Sequence, residues 1–180
     1  MVDGAFYRKR AEYLFGNKTA KERANELIDY CHRHLNQNED KYHLLRIFYY
    51  DCLPIDKNVF HPFLRKQVNF SKTELYQWSH DFIDELKEKR KIAIRLGELA
   101  GEQACYTLKT DTVKKLFNTD NNFNMDNITE KDFQLQLSQK GVDMKIGIDI
   151  ASLTYKKLVN QIILISEDSD FVPAAKLARK

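Results

Sequence analysis

Two almost uninterrupted apolar segments constrain the fold of this chain more than any other feature. Residues 44–51 and residues 161–166 are too short for typical buried helices, but each is long enough for a strand that is covered on both faces. Residues 19–35, and the residues that follow Ser71, repeat apolar side chains at the spacing of amphipathic helices. Strands that alternate with helices in this way predict an α/β fold with a central, mostly parallel sheet flanked by helices.

The remaining pattern completes this alternation. A very short first strand is predicted to end at Asp3, and a further strand is predicted at residues 92–97. A helix is expected to begin near residues 140–143 and to reach Leu158. A last helix begins near Pro173, because proline is tolerated in the first turn of a helix.

Three segments are less regular. Residues 54–71 are expected to form a long loop, and residues 129–137 are compatible with a helix. We expect an irregular insertion near residues 98–128, with a mobile loop in its Asn- and Asp-rich part at residues 118–127. The length of 180 residues predicts one domain over residues 1–180 that includes this insertion.

Composition excludes several classes of protein. No apolar stretch is long enough to span a membrane, and the first residues lack the apolar segment of a secretory signal. Three widely spaced cysteines, without the paired spacing of a zinc site, fit buried thiols in a reducing compartment. These features favour a cytoplasmic protein with no membrane partner.

The net charge of +3 is too small to identify a nucleic-acid-binding protein by itself. Its distribution is more informative, because Arg8, Lys9 and Arg10 follow the first predicted strand directly. A second group of cations lies between Lys87 and Arg95. Both groups are candidates for holding phosphates, although the second is equally compatible with a solvated helix end.

Aspartates stand at the ends of predicted strands. Asp3 ends the first strand, Asp168 and Asp170 follow the strand at residues 161–166, and Asp143 stands where a helix begins. The carboxyl ends of parallel strands share one edge of a sheet, so these carboxylates are expected to lie together. Clustered carboxylates raise one another's pKa, and bound Mg²⁺ or Mn²⁺ relieves that repulsion. Any one of these aspartates, taken alone, is more often a helix cap or a turn residue.

Asp51 also follows a predicted strand and is a further candidate for the same edge. The alternative, a strand-end turn beside a buried Cys52, is favoured.

Three motifs resemble the NYN domain family of the PIN-like nuclease superfamily. They are Val-Asp-Gly at residues 2–4, the segment from Lys140 to Asp149, and the segment from Ile162 to Phe171. The resemblance implies a three-layer, PIN-like fold and a Mg²⁺- or Mn²⁺-dependent ribonuclease, a hydrolase that cleaves the phosphodiesters of RNA, most readily single-stranded RNA. It also implies the catalytic and metal-binding residues Asp3, Asp143, Asp168 and Asp170.

Other positions carry over with open alternatives. Asp149 also matches an acidic position of the family, but on a helix it points about 120° away from Asp143, so one of the two is expected to bind metal directly. Ser166 matches a small hydroxyl residue and, with Arg8, Lys9 and Arg10, is a candidate for binding substrate.

Many family members have Asn where Phe6 stands and Gly where Glu167 stands. These departures support an alternative, a catalytically inactive module that binds RNA or regulates a partner.

The family pattern would place a further strand beside residues 161–166. Without it, an apolar strand would have an unpaired edge. We therefore expect this edge to be covered by a second copy in a homodimer or by residues outside this sequence.

Overall fold

The computed structural model describes residues 1–36, 42–118 and 123–179. Its strands, in chain order, are β1 (Val2–Asp3), β2 (Ile47–Asp51), β3 (Asn58–His61), β4 (Lys66–Asn69), β5 (Ile92–Leu96), β6 (Glu98–Leu99), β7 (Cys105–Leu108), β8 (Phe133–Gln136) and β9 (Gln139–Lys140). Its α-helices are α1 (Gly4–Phe15), α2 (Ala20–Arg33), α3 (Glu74–Lys87), α4 (Thr110–Phe117), α5 (Val142–Tyr155) and α6 (Val172–Ala178).

The central sheet is parallel and has the order β1-β2-β5, which confirms the predicted α/β class. The predicted strand at residues 161–166 is wrong in extent, because only Ile165 pairs, through a single parallel bridge to Val2. The reason lies in β1, which offers only two residues for pairing. Asp3 N donates to Ile165 O at 3.0 Å, and Ile165 N donates to Met1 O at 2.9 Å.

Helices flank this sheet because successive side chains of β2 point to opposite faces. Ile47 and Tyr49 lie in the apolar cluster that includes Leu27 of α2 and Phe82 of α3. Phe48 and Tyr50 lie in a second apolar cluster, to which α5 contributes most of the other buried side chains. All five residues of β2 are buried, which confirms a strand that is covered on both faces, although it begins at Ile47 and not at residue 44 as predicted.

The helix starts follow local capping. Thr19 caps α2 in a reciprocal capping box with Glu22, and Thr73 caps α3 by accepting a bond from Tyr76 N. The predicted last helix is present as α6, with Pro173 in its first turn. Across the described ranges, no helix is both long and apolar enough to span a membrane.

Two antiparallel hairpins correct the sequence-based assignments. The expected loop at residues 54–71 contains hairpin β3–β4, and residues 129–137 contain strand β8 rather than a helix. Partly buried and exposed side chains alternate along β8, which is the period of a strand and not of a helix. The insertion near residues 98–128 contains β6, β7 and α4, and residues 119–122 of its predicted mobile loop lie outside the described residues.

Hairpin β3–β4 and hairpin β7–β8 pack against each other through aromatic rings. The His61 ring lies 4.1 Å from the Tyr106 ring and 5.4 Å from the Phe133 ring, measured between centroids. We call these two hairpins the satellite hairpins. In the chain, β3 is the first strand after the carboxyl end of β2.

Gly4 allows α1 to begin directly against β2. A Cβ atom at this position would collide with the Tyr49 hydroxyl and would lie 2.5 Å from Asp51 Oδ2. We predict that Gly4→Ala lowers the free energy of unfolding by about 1–3 kcal/mol, because the buried side chains of β2 cannot move away without strain. Urea unfolding followed by circular dichroism measures this change.

Gly147→Ala is the matched control, because Gly147 lies in α5 with no atom within 4 Å of the added carbon. It is expected to raise the free energy of unfolding by up to about 1 kcal/mol, since alanine is the better helix former. Equal effects of the two substitutions would contradict the close approach at Gly4.

Candidate active site

The end of β1 and the segment after Ile165 are joined by side-chain hydrogen bonds. Asp3 Oδ1 caps α1 by accepting a bond from Phe6 N at 3.2 Å. Ser166 Oγ donates to the other oxygen, Asp3 Oδ2, at 3.0 Å. One aspartate therefore caps a helix and also contacts the last motif of the chain.

Asp168 and Asp170 are held by a tight turn after Ser166. Asp168 N donates to Ser166 Oγ at 3.2 Å, and Asp170 N donates to Asp168 Oδ1 at 2.8 Å. Phe171, directly after the two aspartates, is buried in the apolar cluster beneath α5 and anchors the turn. Both carboxylates are exposed. Asp168 therefore accepts the hydrogen bond of the turn and is still open to solvent.

Asp143 lies in the first turn of α5, and other aspartates raise its pKa. Partial desolvation raises its pKa, and three carboxylates raise it further, those of Asp168, Asp3 and Asp170. The structure thus places Asp168, Asp3 and Asp170 within electrostatic reach of Asp143. We call the four aspartates together with Ser166 the carboxylate edge.

Asp149 is engaged elsewhere. Its Oδ2 accepts a hydrogen bond from the Tyr50 hydroxyl at 2.8 Å and another from Arg95 Nε at 3.2 Å. Its charge is not among those that raise the pKa of Asp143. Of the two aspartates on α5, Asp143 is therefore the one whose charge is coupled to Asp3, Asp168 and Asp170, and Asp149 pairs with a cation of β5.

Asp51 ends β2 and is buried in a network of its own. It accepts bonds from the Tyr49 hydroxyl at 2.7 Å, from Cys52 N at 2.8 Å and from Arg8 Nη2 at 2.9 Å. Burial lowers the pKa of Arg8, but the Asp51 carboxylate and Tyr49 together outweigh this effect and raise it overall. Arg8, a candidate for holding phosphate, is thus committed to neutralising Asp51.

The other predicted cations lie in different places. Lys9 and Arg10 are exposed on α1, close to its start at Asp3. Lys89 and Lys91 precede β5, and therefore lie at the amino end of the sheet, opposite the carboxylate edge. Of the group between Lys87 and Arg95, Arg95 lies in the carboxyl half of β5.

The donor chemistry fits a hard divalent cation. The carboxylate edge presents only oxygen atoms, and the raised pKa of Asp143 reflects a repulsion that such a cation would relieve. Within residues 1–36, 42–118 and 123–179, however, no three His, Cys, Asp or Glu side chains stand close enough together to form a ready-made metal site. The side chains would have to draw closer to hold an ion.

Sequence reasoning missed both charge pairs that flank the edge. The pair of Arg95 with Asp149 had no signal in the sequence, because the register that sets Tyr50 opposite Arg95 is a property of the folded sheet. The pair of Arg8 with Asp51 had a weak signal, a cation one turn into a helix that starts at the end of β1.

A family model described as NYN domain matches residues 65–180, more than half of the chain. The matched part contains Asp143, Asp149, Ser166, Asp168 and Asp170, whereas β1, β2 and Asp3 precede it. This match confirms the resemblance that the motifs indicate. No curated protein and no solved structure matches the chain.

We predict that Asp168→Asn lowers the pKa of Asp143 while keeping the turn, because asparagine also caps helices well. In chelator-treated protein, an NMR titration of the side-chain carboxyl carbons measures this pKa. It should stay above the ordinary value, since partial desolvation, its largest cause, remains. Asp29→Asn, an exposed change on α2, is the control and should leave the pKa of Asp143 unchanged.

The same substitution gives a pH-dependent change in stability. Because the pKa of Asp143 is raised on folding, the folded state binds more protons than the unfolded state between the ordinary value of 3.8 and the raised value. This group therefore destabilises the fold at neutral pH, and its effect fades as the pH falls through that window. Asp168→Asn should raise the free energy of unfolding at pH 7 by less than about 1 kcal/mol, with no gain below the ordinary pKa of aspartate. A large loss at pH 7 would make Asp168 structural.

Proposed function

The chain belongs to the NYN domain family, and from that premise we propose that it is a ribonuclease that hydrolyses the phosphodiesters of single-stranded RNA at the carboxylate edge. Membership in this family indicates a nuclease-like, RNA-related function. The observation that carries the proposal is the raised pKa of Asp143, caused in part by Asp168, Asp3 and Asp170, because it marks where negative charge is concentrated.

The proposed ligands of a Mg²⁺ or Mn²⁺ ion are Asp3, Asp143, Asp168 and Asp170. A bound ion would supply the positive charge that activates water and offsets the charge of the reacting phosphate. The exposed carboxylates of Asp168 and Asp170 are open to water and substrate from the solvent side. Asp149 is proposed to position α5 through its bonds to Tyr50 and Arg95 rather than to bind metal directly.

Ser166 has two proposed roles. Its hydroxyl donates to Asp3 Oδ2 and accepts from Asp168 N, so it fixes the spacing between the first and last acidic motifs. As a substrate-binding candidate, it lies where a phosphate oxygen would meet the edge. The exposed cations Lys9 and Arg10 are proposed to contact RNA phosphates, whereas Arg8 holds Asp51 in place.

A second candidate function is a catalytically inactive module that binds RNA or regulates a partner. One observation favours it: over the part of the chain that the structure describes, no ready-made metal group is found. Glu167 adds a further exposed carboxylate beside Asp168, at a position where glycine is usual in the family. The two candidates differ in whether a divalent ion gives turnover.

We extend the proposal to the whole chain. It is one domain over residues 1–180, with the irregular insertion near residues 98–128 and a three-layer, PIN-like arrangement. It acts in the cytoplasm. The edge of the sheet at Ile165, which pairs through one bridge only, is covered by a second copy in a homodimer.

Cleavage of a labelled single-stranded RNA in the presence of Mg²⁺ or Mn²⁺ tests the proposed ribonuclease. Asp143→Asn and Asp168→Asn should each slow cleavage by about 100-fold or more, the size of effect expected when a group that stabilises charge in the reaction is lost. Asp149→Asn, the matched control on the same helix, should slow it by about fivefold or less, as for the loss of one partly exposed ion pair.

A chelator should abolish cleavage by the wild-type protein. Equal losses for Asp143→Asn and Asp149→Asn would contradict the assignment of Asp143 to the edge. RNA binding without cleavage in either metal would favour the inactive module instead.

A further inference from the structure

Hairpin β3–β4 exposes a phenylalanine on its outer face. Val59 and His61 of β3 are buried, whereas Phe60 between them is 52% exposed. In the antiparallel register, Phe60 lies opposite Gln67, and Asn58 lies opposite Asn69, so these four residues share one face. We call them the amide platform, since three carboxamide side chains surround one aromatic ring.

The inner face of the same hairpin accounts for its stability. The His61 ring packs on the rings of Tyr106 and Phe133, and Val59 is buried. Packing of the satellite hairpins therefore fixes the backbone of β3 without using Phe60. A single exposed phenylalanine is ordinary on a protein surface, so the argument depends on what surrounds it.

The hairpin that carries the platform is positively charged. Residues 52–72 contain four lysine or arginine residues and one aspartate, a net charge of +3 that equals the net charge of the whole chain. Arg65 is exposed in the turn of the hairpin, whereas Lys66 pairs with His61 on the opposite face and the Lys57 side chain approaches Gly101. An aromatic ring among amides and cations is the combination that binds single-stranded nucleic acid, because bases stack on the ring and phosphates pair with the cations.

The segment that leads to the platform starts at the same end of the sheet as the carboxylate edge. A six-residue segment, 52–57, joins Asp51 at the carboxyl end of β2 to the first residue of β3. A Cβ atom at Gly97, just after β5, would lie 2.6 Å from Val142 in the first turn of α5 and 3.0 Å from Cys52 Sγ. The start of that segment and the turn that carries Asp143 therefore approach each other closely.

We propose that the amide platform binds bases of single-stranded RNA on one side of the cleaved phosphodiester. A base stacks on Phe60, the amides of Asn58 and Gln67 bond to base edges, and Arg65 in the turn of the hairpin holds an adjoining phosphate. Phe60 precedes residues 65–180, so the family match assigns it no role. The proposal rests on the proposed function for the reaction, but binding at the platform needs no metal.

Fluorescence anisotropy of a short labelled single-stranded RNA, with the full chain in a chelator, tests this binding without cleavage. Phe60→Ala should raise the Kd for RNA by about 5- to 100-fold, which is the effect expected when one base loses its stacking partner. Phe60→Tyr keeps an aromatic ring and should bind RNA with the Kd of the wild type. Phe117→Ala is the matched control, because Phe117 is 83% exposed on α4 and lies outside the platform. A duplex RNA of the same length should bind more weakly, since its base faces are covered.

The outcomes separate the two proposals. If Phe60→Ala loses RNA binding and the wild type binds RNA but never cleaves it, the platform is supported and the ribonuclease is overturned. If Phe60→Ala binds and cleaves RNA as the wild type does, the platform is overturned and the ribonuclease stands. If the wild type binds no RNA and forms a dimer that dissociates in Phe60→Ala, the platform is overturned and this face is a protein interface.

Discussion

Strand β2 must be covered on both faces, and the rest of the structure depends on that requirement. Its side chains alternate between the cluster shared with α2 and α3 and the cluster shared with α5, and all five are buried. A sheet whose two faces are both covered leaves only its ends and its edges to solvent. Polar chemistry is therefore directed to the carboxyl end of the strands, where helix starts and turns collect the aspartates.

At that end, pairing with cations divides the aspartates into two groups. Asp51 and Asp149 each accept a bond from an arginine and from a tyrosine hydroxyl, so their charges are compensated within the fold. Asp143 has the opposite environment, since other carboxylates raise its pKa. Compensated aspartates stabilise the structure, whereas an uncompensated group stores a repulsion that a cation can relieve. This contrast separates Asp143 from Asp149, which share a helix.

The sequence was sufficient for features that depend on local pattern, such as the parallel strands, the helix within residues 19–35 and the motifs of the NYN family. It did not resolve Asp143 from Asp149, because that choice depends on where α5 begins and on which residues of β2 and β5 face it. Hairpin β7–β8 was missed because its pairing joins two strands across an insertion that contains α4. Ile165 pairs only once because its partner strand has two residues, a limit set by tertiary structure.

The charges of the carboxylate edge and of hairpin β3–β4 explain why the carboxylate edge alone would bind RNA poorly. In the absence of a metal ion, the carboxylate edge carries four acidic groups and repels phosphates, so it cannot supply affinity. The basic hairpin with Phe60 has the opposite sign and offers stacking as well as charge. Affinity from the hairpin and chemistry from the edge would then be separable properties, and the choice of base would depend on residues outside the acidic motifs of the family.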